Sequence, residues 1–170
     1  SATRRSLETR FEYAFKGKGP HYHSILEAVA LPDWGERFAV DGPGGAVDIA
    51  AFELEHGNIM SAGFRFGPIA YSPDVNGVPD AAFDSLAGAR VWIVDALRET
   101  PHPTHASVSD ALEWIARAEI PEAVLTNLHI DLDYETLGER LPEGVRPAYD
   151  GLSITWNGSS AAYSTHPNVS

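Results

Sequence analysis

The chain has 170 residues, enough for one domain or a piece of one, and 44% apolar against 21% charged residues excludes a disordered polymer. Twelve Lys and Arg face 24 Asp and Glu, a formal charge of −12 that repels phosphate backbones and anionic lipid. Open-groove nucleic-acid binding and a membrane-surface role are thereby disfavoured, and the absence of cysteine rules out disulfides, thiolate zinc sites and a cysteine nucleophile.

No apolar run approaches the roughly 18 residues that span a bilayer. The opening Ser1-Ala2-Thr3-Arg4-Arg5-Ser6 does not lead into the apolar stretch of a signal peptide. These features point to a soluble, cytoplasmic protein.

The first segment reads as a helix. Leu7, Phe11 and Ala14/Phe15 fall on one face of a 3.6-residue period, and Gly17, Gly19 and Pro20 end it. Residues 16–36 carry scattered Pro, Gly and His without a period and read as a loop. From about residue 38 the pattern is that of strands, with a turn cluster at Asp41-Gly42-Pro43-Gly44-Gly45. Val47 and Ile49 alternate, then Phe52 and Leu54 alternate in the opposite phase, so strand 46–54 carries a bulge or is buried on both faces. Phe64 and Phe66 share a face, Gly67-Pro68 turns the chain, and Ile69-Ala70-Tyr71 returns as an antiparallel meander.

Beyond residue 78 strands and helices alternate. A short helix at Asp80–Leu86 closes on Gly88, and Val91-Trp92-Ile93-Val94 is a continuous apolar strand. Ser107-Val108-Ser109-Asp110 is a capping-box signature opening a helix with Ala111, Leu112, Ile115 and Ala118 inward. Ala123-Val124-Leu125-Thr126 is a second buried strand, residues 134–141 a last short helix, and Ile154 and Trp156 a closing strand. The class is α/β with mixed sheets, as a single domain over residues 1–156 with a loose tail over 157–170.

Three histidines and one aspartate lie just past apolar strands, where open α/β sheets place their ligands. His56 precedes Gly57, Asp74 lies in Tyr71-Ser72-Pro73-Asp74-Val75-Asn76-Gly77, and His105 ends Pro101-His102-Pro103-Thr104-His105 before a helix start. His129 closes Leu125-Thr126-Asn127-Leu128-His129. Neutral imidazoles and a bridging carboxylate on rigid elements suit Zn²⁺ or Mn²⁺. Each residue also has an ordinary reading: His56 as a turn residue, Asp74 as an Asx turn, His105 as a helix-start neighbour, His129 as the head of a solvated acidic turn. The H-x-H pair His21-Tyr22-His23 sits in an irregular loop with no Asp-His after it and is set aside. Gly42-Pro43-Gly44-Gly45 lacks the helix and the Lys-Ser/Thr of a phosphate-binding loop.

These stretches together resemble the metallo-β-lactamase-fold hydrolases, in the branch of the PhnP-like cyclic-phosphate phosphodiesterases. The matching segments are Glu55-His56-Gly57, Tyr71-Ser72-Pro73-Asp74-Val75, Asp95-Ala96-Leu97-Arg98 with Pro101-His102-Pro103-Thr104-His105, Leu125-Thr126-Asn127-Leu128-His129 and Ala148-Tyr149-Asp150-Gly151-Leu152. They run in family order over about residues 50 to 155. The resemblance implies an αββα sandwich with two divalent ions, Zn or Mn, at one edge. His56 would complete the first metal, Asp74 would bridge both, and His105 would be a non-ligand that contacts the phosphate or protonates the leaving oxygen. Two cations about 3.5 Å apart lower the pKa of a shared water and hold the phosphate oxygens for its attack.

Many relatives carry a ligand directly after Leu-Thr. That position is Asn127 here, and His129, two residues on, is taken as the substitute. The superfamily signature H-x-H-x-D-H is absent from the 170 residues. The resemblance therefore implies the C-terminal portion of such a hydrolase, inactive alone, with two protein ligands per ion and no assured metal in this chain. Its expected substrate is a small phosphodiester such as a cyclic sugar phosphate. Strand faces left without their partner sheet imply a homo-oligomer or another covering chain. The competing expectations are an RNA-processing nuclease of the same superfamily, for which no basic surface is visible, and a non-catalytic half-sandwich interaction module.

Overall fold

A computed structural model describes residues 2–165; the last part of the expected tail, residues 166–170, lies outside the described residues. The chain divides into two compact units, Ser1–Leu31 and Pro32–Ser170. In the first unit the helix breaks at Phe11 into α1 (Ala2–Arg10) and α2 (Glu12–Lys16). The expected apolar face is only partly used: Ala14 is buried, while Leu7 and Phe11 are nearly half exposed. Arg4 with Glu8 and Lys16 with Glu12 form exposed i,i+4 ion pairs at 2.8 Å, which solvent screens.

The second unit is built on a seven-stranded sheet in the order β1-β2-β3-β4-β5-β6-β7. Its antiparallel half comprises β1 (Arg37–Gly42), β2 (Gly45–His56), β3 (Ile59–Phe66) and β4 (Ile69–Ser72). Its parallel half continues from β4 through β5 (Val91–Asp95), β6 (Glu122–Thr126) and β7 (Val145–Pro147). Between the parallel strands run α3 (Asp80–Leu86), α4 (Val108–Arg117) and α5 (Tyr134–Arg140). Parallel neighbours need such crossovers, and every crossover returns the chain so that the next strand ends at the same sheet edge.

The phase change in β2 is burial on both faces and not a bulge. Its ladder to β3 runs unbroken from Ile49 opposite Phe66 to His56 opposite Ile59, and adjacent Ala51 and Phe52 are both buried. Phe52 and Leu54 belong to the core with Ala70, Trp92, Val94, Ala123 and Leu125, packed on Leu86, Ala111, Ile115 and Leu137 of the helices. Gly63 on β3 makes room for this: a Cβ there would lie 2.3 Å from the Phe52 ring. Trp92, fully buried, satisfies its indole N–H on the Ser72 hydroxyl at 3.0 Å. Arg65 closes the C-terminal end of α3, its Nη1 donating to the carbonyls of Ser85 and Leu86 at 3.2 Å and of Ala87 at 3.1 Å. The capping box of α4 forms in both directions between Ser107 and Asp110.

The stretch read as a loose tail from Asn157 is instead a hairpin up to residue 165. Strands β8 (Leu152–Trp156) and β9 (Ala161–Thr165) pair in register, Ile154 opposite Tyr163. The Arg146 guanidinium lies 3.5 Å from the centre of the Tyr163 ring, which ties this hairpin to β7. On the antiparallel side Val40, Val47, Ile59 and Met60 remain about half exposed.

Candidate active site

The C-terminal ends of β4, β5, β6 and β7 lie side by side, and the polar residues of the site follow from that edge. His56 ends β2. Its neighbour Gly57 turns back into β3 with φ +65°, and a Cβ there would come within 2.7 Å of the Thr104 methyl carbon and 3.4 Å of the Pro103 carbonyl. Only glycine lets this turn lie against the 103–104 loop. The approach places His56 Nδ1 2.6 Å from the Thr104 carbonyl. A carbonyl only accepts, so Nδ1 carries the proton and Nε2 keeps its lone pair. That is the state of a metal-binding imidazole, with its second nitrogen anchored on a backbone oxygen.

Asp74 follows β4 on an exposed loop that several bonds fix. Its carbonyl accepts from the Ser61 hydroxyl at 2.6 Å, and the Val75 N–H donates to Asp95 Oδ2 at 3.2 Å. Asn76 joins the three loops. Its Oδ1 accepts from Gly57 N–H at 2.8 Å, and its Nδ2 donates to the Pro103 carbonyl at 3.0 Å.

At the end of β5, Asp95 is fully buried, and His105 Nδ1 meets its Oδ2 at 2.6 Å. Oδ1 of the same carboxylate accepts from Asn127 Nδ2 at 3.1 Å. Burial pushes the Asp95 carboxyl above its ordinary value, and the bonds from His105, Val75 and Asn127 pull it part of the way back. An imidazole held by Nδ1–H on a carboxylate has a fixed tautomer and presents Nε2 outward, and the carboxylate steadies the ring when it is protonated. The His56 and His105 rings stand edge to face at 4.8 Å. His102, whose proton affinity is lowered mainly by burial and next by Arg98, lies 5.3 Å from the His105 ring.

His56, Asp74 and His105 thus converge, each offering a ligand atom within 4.8 Å of the others. The donor chemistry fits a divalent cation: an imidazole whose Nε2 is bare, an exposed carboxylate, and backbone that other bonds already fix. His129 is not in this cluster. It follows β6, its N–H donates to the Leu97 carbonyl at 2.8 Å, and its Nδ1 lies 3.0 Å from Asp131 Oδ2. Asn127 has φ +60°, so the segment from Thr126 to His129 is not extended, and the two-residue spacing does not carry His129 to the same side. Sequence reasoning missed Asp95, Asn76 and Asn127 as site residues. One signal was available for Asp95, a carboxylate at the end of a strand of four apolar residues.

The mixed sheet, with imidazoles and a carboxylate gathered past its parallel strand ends, is that of the metallo-β-lactamase fold. The chain belongs to the beta-lactamase superfamily domain family, whose model matches residues 1–130. A diphosphatase of the PhnP family superposes with a TM-score of 0.75 at 27% identity over 91% of this chain, and this chain spans 56% of that one. Zn²⁺-bound PqqB from Methylobacterium extorquens shares the fold, with a TM-score of 0.58 and 16% identity over 89% of this chain and 60% of its own. An octanoyltransferase of Porphyromonas gingivalis is 29% identical over 152 residues, 86% of this chain but 29% of that protein. The PhnP-like resemblance read from the sequence is therefore borne out, and the chain spans about half the length of the diphosphatase.

Proposed function

We propose that this chain supplies the C-terminal part of a metal-dependent phosphodiesterase acting on small phosphodiesters, a cyclic sugar phosphate among them. The observation that carries the reading is the convergence of His56, Asp74 and His105 within 4.8 Å. Likeness to the diphosphatase of the PhnP family supports a phosphoester over other substrates. His56 Nε2 and the Asp74 carboxylate would hold metal, whereas His129, engaged by Asp131 outside that cluster, is not counted among the ligands. When bound, the divalent ions, zinc or manganese, supply Lewis-acid activation of water and charge neutralisation at the phosphoryl oxygens.

The chain's own groups do the rest. His105 carries a proton at Nε2 and donates it to the departing alkoxide oxygen, while Asp95 holds Nδ1–H and stabilises the cationic ring. Thr104 fixes the His56 tautomer through its carbonyl, and Asn76 keeps the loops bearing His56, Asp74 and His105 at one spacing. The remaining ligands come from the longer protein of which this chain is the C-terminal part.

The test is zinc affinity by calorimetry, together with bis(p-nitrophenyl) phosphate turnover, for the chain and its His56→Ala and Asp74→Ala variants. Each loss of a ligand should weaken zinc binding by about tenfold or more. Unchanged zinc affinity and turnover in both His56→Ala and Asp74→Ala would end this assignment.

A further inference from the structure

The row of strand ends has a fourth station that the proposed chemistry does not use. Asp74 follows β4, Asp95 ends β5, Asn127 follows β6, and Tyr149 follows β7. In the β6–β7 ladder Pro147 lies opposite Leu125, and the Ala148 N–H donates to the Leu125 carbonyl at 2.8 Å. Tyr149 follows β7 and Asn127, whose amide touches Asp95, follows the neighbouring parallel strand β6, so both lie past the same sheet edge. Neighbouring strands are about 4.8 Å apart, so the backbone at Tyr149 lies about 10 Å from the β5 end.

Tyr149 is 39% exposed and meets Tyr134, 43% exposed, at the start of α5. Their ring centres are 6.1 Å apart and their planes 81° apart. In such an edge-to-face pair the ring that offers its edge keeps both faces open, and the other ring keeps one. The two rings, each about two-fifths exposed, thus stand together past the C-terminal edge of the parallel strands. Single exposed apolar residues are ordinary, but a mutually braced pair beside a cluster of imidazole and carboxylate is a preorganised platform.

We infer that Tyr149 and Tyr134 form a stacking subsite for a flat aromatic ring, of nucleoside or aryl type, carried on the alcohol side of the phosphoester bound at His56, Asp74 and His105. The inference rests on the phosphodiesterase reading and narrows its substrate class. The spacing suits it: the phosphate sits near the β4 and β5 ends, and the ring reaches across β6 to β7. Stacking on an aromatic side chain needs no hydrogen bonds to the ring and tolerates its identity.

The experiment compares phenyl phosphate with methyl phosphate, which has no ring, by ligand-observed NMR on the zinc-equilibrated full chain. Phenyl phosphate should bind about tenfold more tightly. Tyr149→Ala and Tyr134→Ala should each reduce that ratio toward one, while Tyr149→Phe, which keeps the ring, should preserve it. His56→Ala should weaken both esters alike. Equal affinity for the two esters, or a ratio untouched in both alanine variants, overturns the subsite and leaves the phosphodiesterase reading standing if His56→Ala still weakens both. Esters that do not bind, or that bind without regard to His56, overturn the phosphodiesterase reading and the subsite with it.

Discussion

Replacing Asp95 by Asn tests whether burial or hydrogen bonding governs the buried carboxylate beneath the site. Asp95 is fully buried and accepts from His105 Nδ1, Val75 N and Asn127 Nδ2. Deleting the group in Asp95→Ala strands the N–H of Val75, itself fully buried, and loses the charged bond to His105. The expected cost is about 2–4 kcal/mol. Asn keeps the shape: its oxygen can take the Oδ2 position, and the Asn127 amide can turn to accept from its NH₂. The charge alone is then removed.

The sign follows from linkage. Burial, the largest influence, raises the folded carboxyl above its unfolded value of 3.8, so the folded state holds this proton to higher pH than the unfolded state does. Its contribution to stability is therefore full below about pH 3.8 and is lost as pH rises through the folded value. Each tenfold change in proton affinity on folding is worth about 1.4 kcal/mol. Asn has no such proton, so the stability of the native chain relative to Asp95→Asn should decline as pH rises from 3.5 to 7. Urea unfolding at stepped pH measures the difference, provided the denaturant slope is shared. Repeating the pair in a His105→Gln background removes the imidazole's own titration. A native-chain advantage that grows with pH would refute the reasoning, because the three donors would then outweigh burial.

The remaining predictions concern the loops that set the spacing of the site. Gly57→Ala adds a Cβ at φ +65° and 2.7 Å from the Thr104 methyl carbon; it should cost about 1–2 kcal/mol in urea unfolding and weaken zinc binding measured by calorimetry. Asn76→Ala removes the acceptor for Gly57 N–H and the donor to the Pro103 carbonyl, so amide exchange at Gly57 should accelerate about tenfold, a change read by hydrogen-exchange NMR.

Sequence patterning carried the elements whose signal is local. The capping box at Ser107 and Asp110, the paired Phe64 and Phe66, and the apolar runs at 91–94 and 123–126 each lie within a few residues, and each forms the element it implies. Strand β7 has three residues, one of them proline, which is too short for alternation to show. The hairpin of β8 and β9 was legible in its first strand only, because the small residues Ser159, Ser160, Ala161 and Ala162 read as loop. Phe11 fits the helical period and still breaks the helix, since its exposed ring has no core to reward continuing it.

The site divides along a related line. His56, Asp74 and His105 stood out by residue type at strand ends, and the fold brings their ligand atoms together. Asp95, Asn76 and Asn127 act through bonds that span 10 to 48 positions of the chain or join loops already bonded across it: Asp95 to His105, Asn76 to Pro103, Asn127 to Asp95, and the Thr104 carbonyl to His56. No local pattern encodes such a partner. A carboxylate closing an apolar strand was the one visible sign, and it had meaning only once the loop between β5 and α4 was known to fold His105 back onto Asp95. His129 shows the converse. Its spacing from Thr126 implied an extended segment, but the left-handed backbone at Asn127 turns that segment, and Asp131 engages the imidazole there. Residue type marked the candidates for this site, and the backbone between strands decided which of them come together.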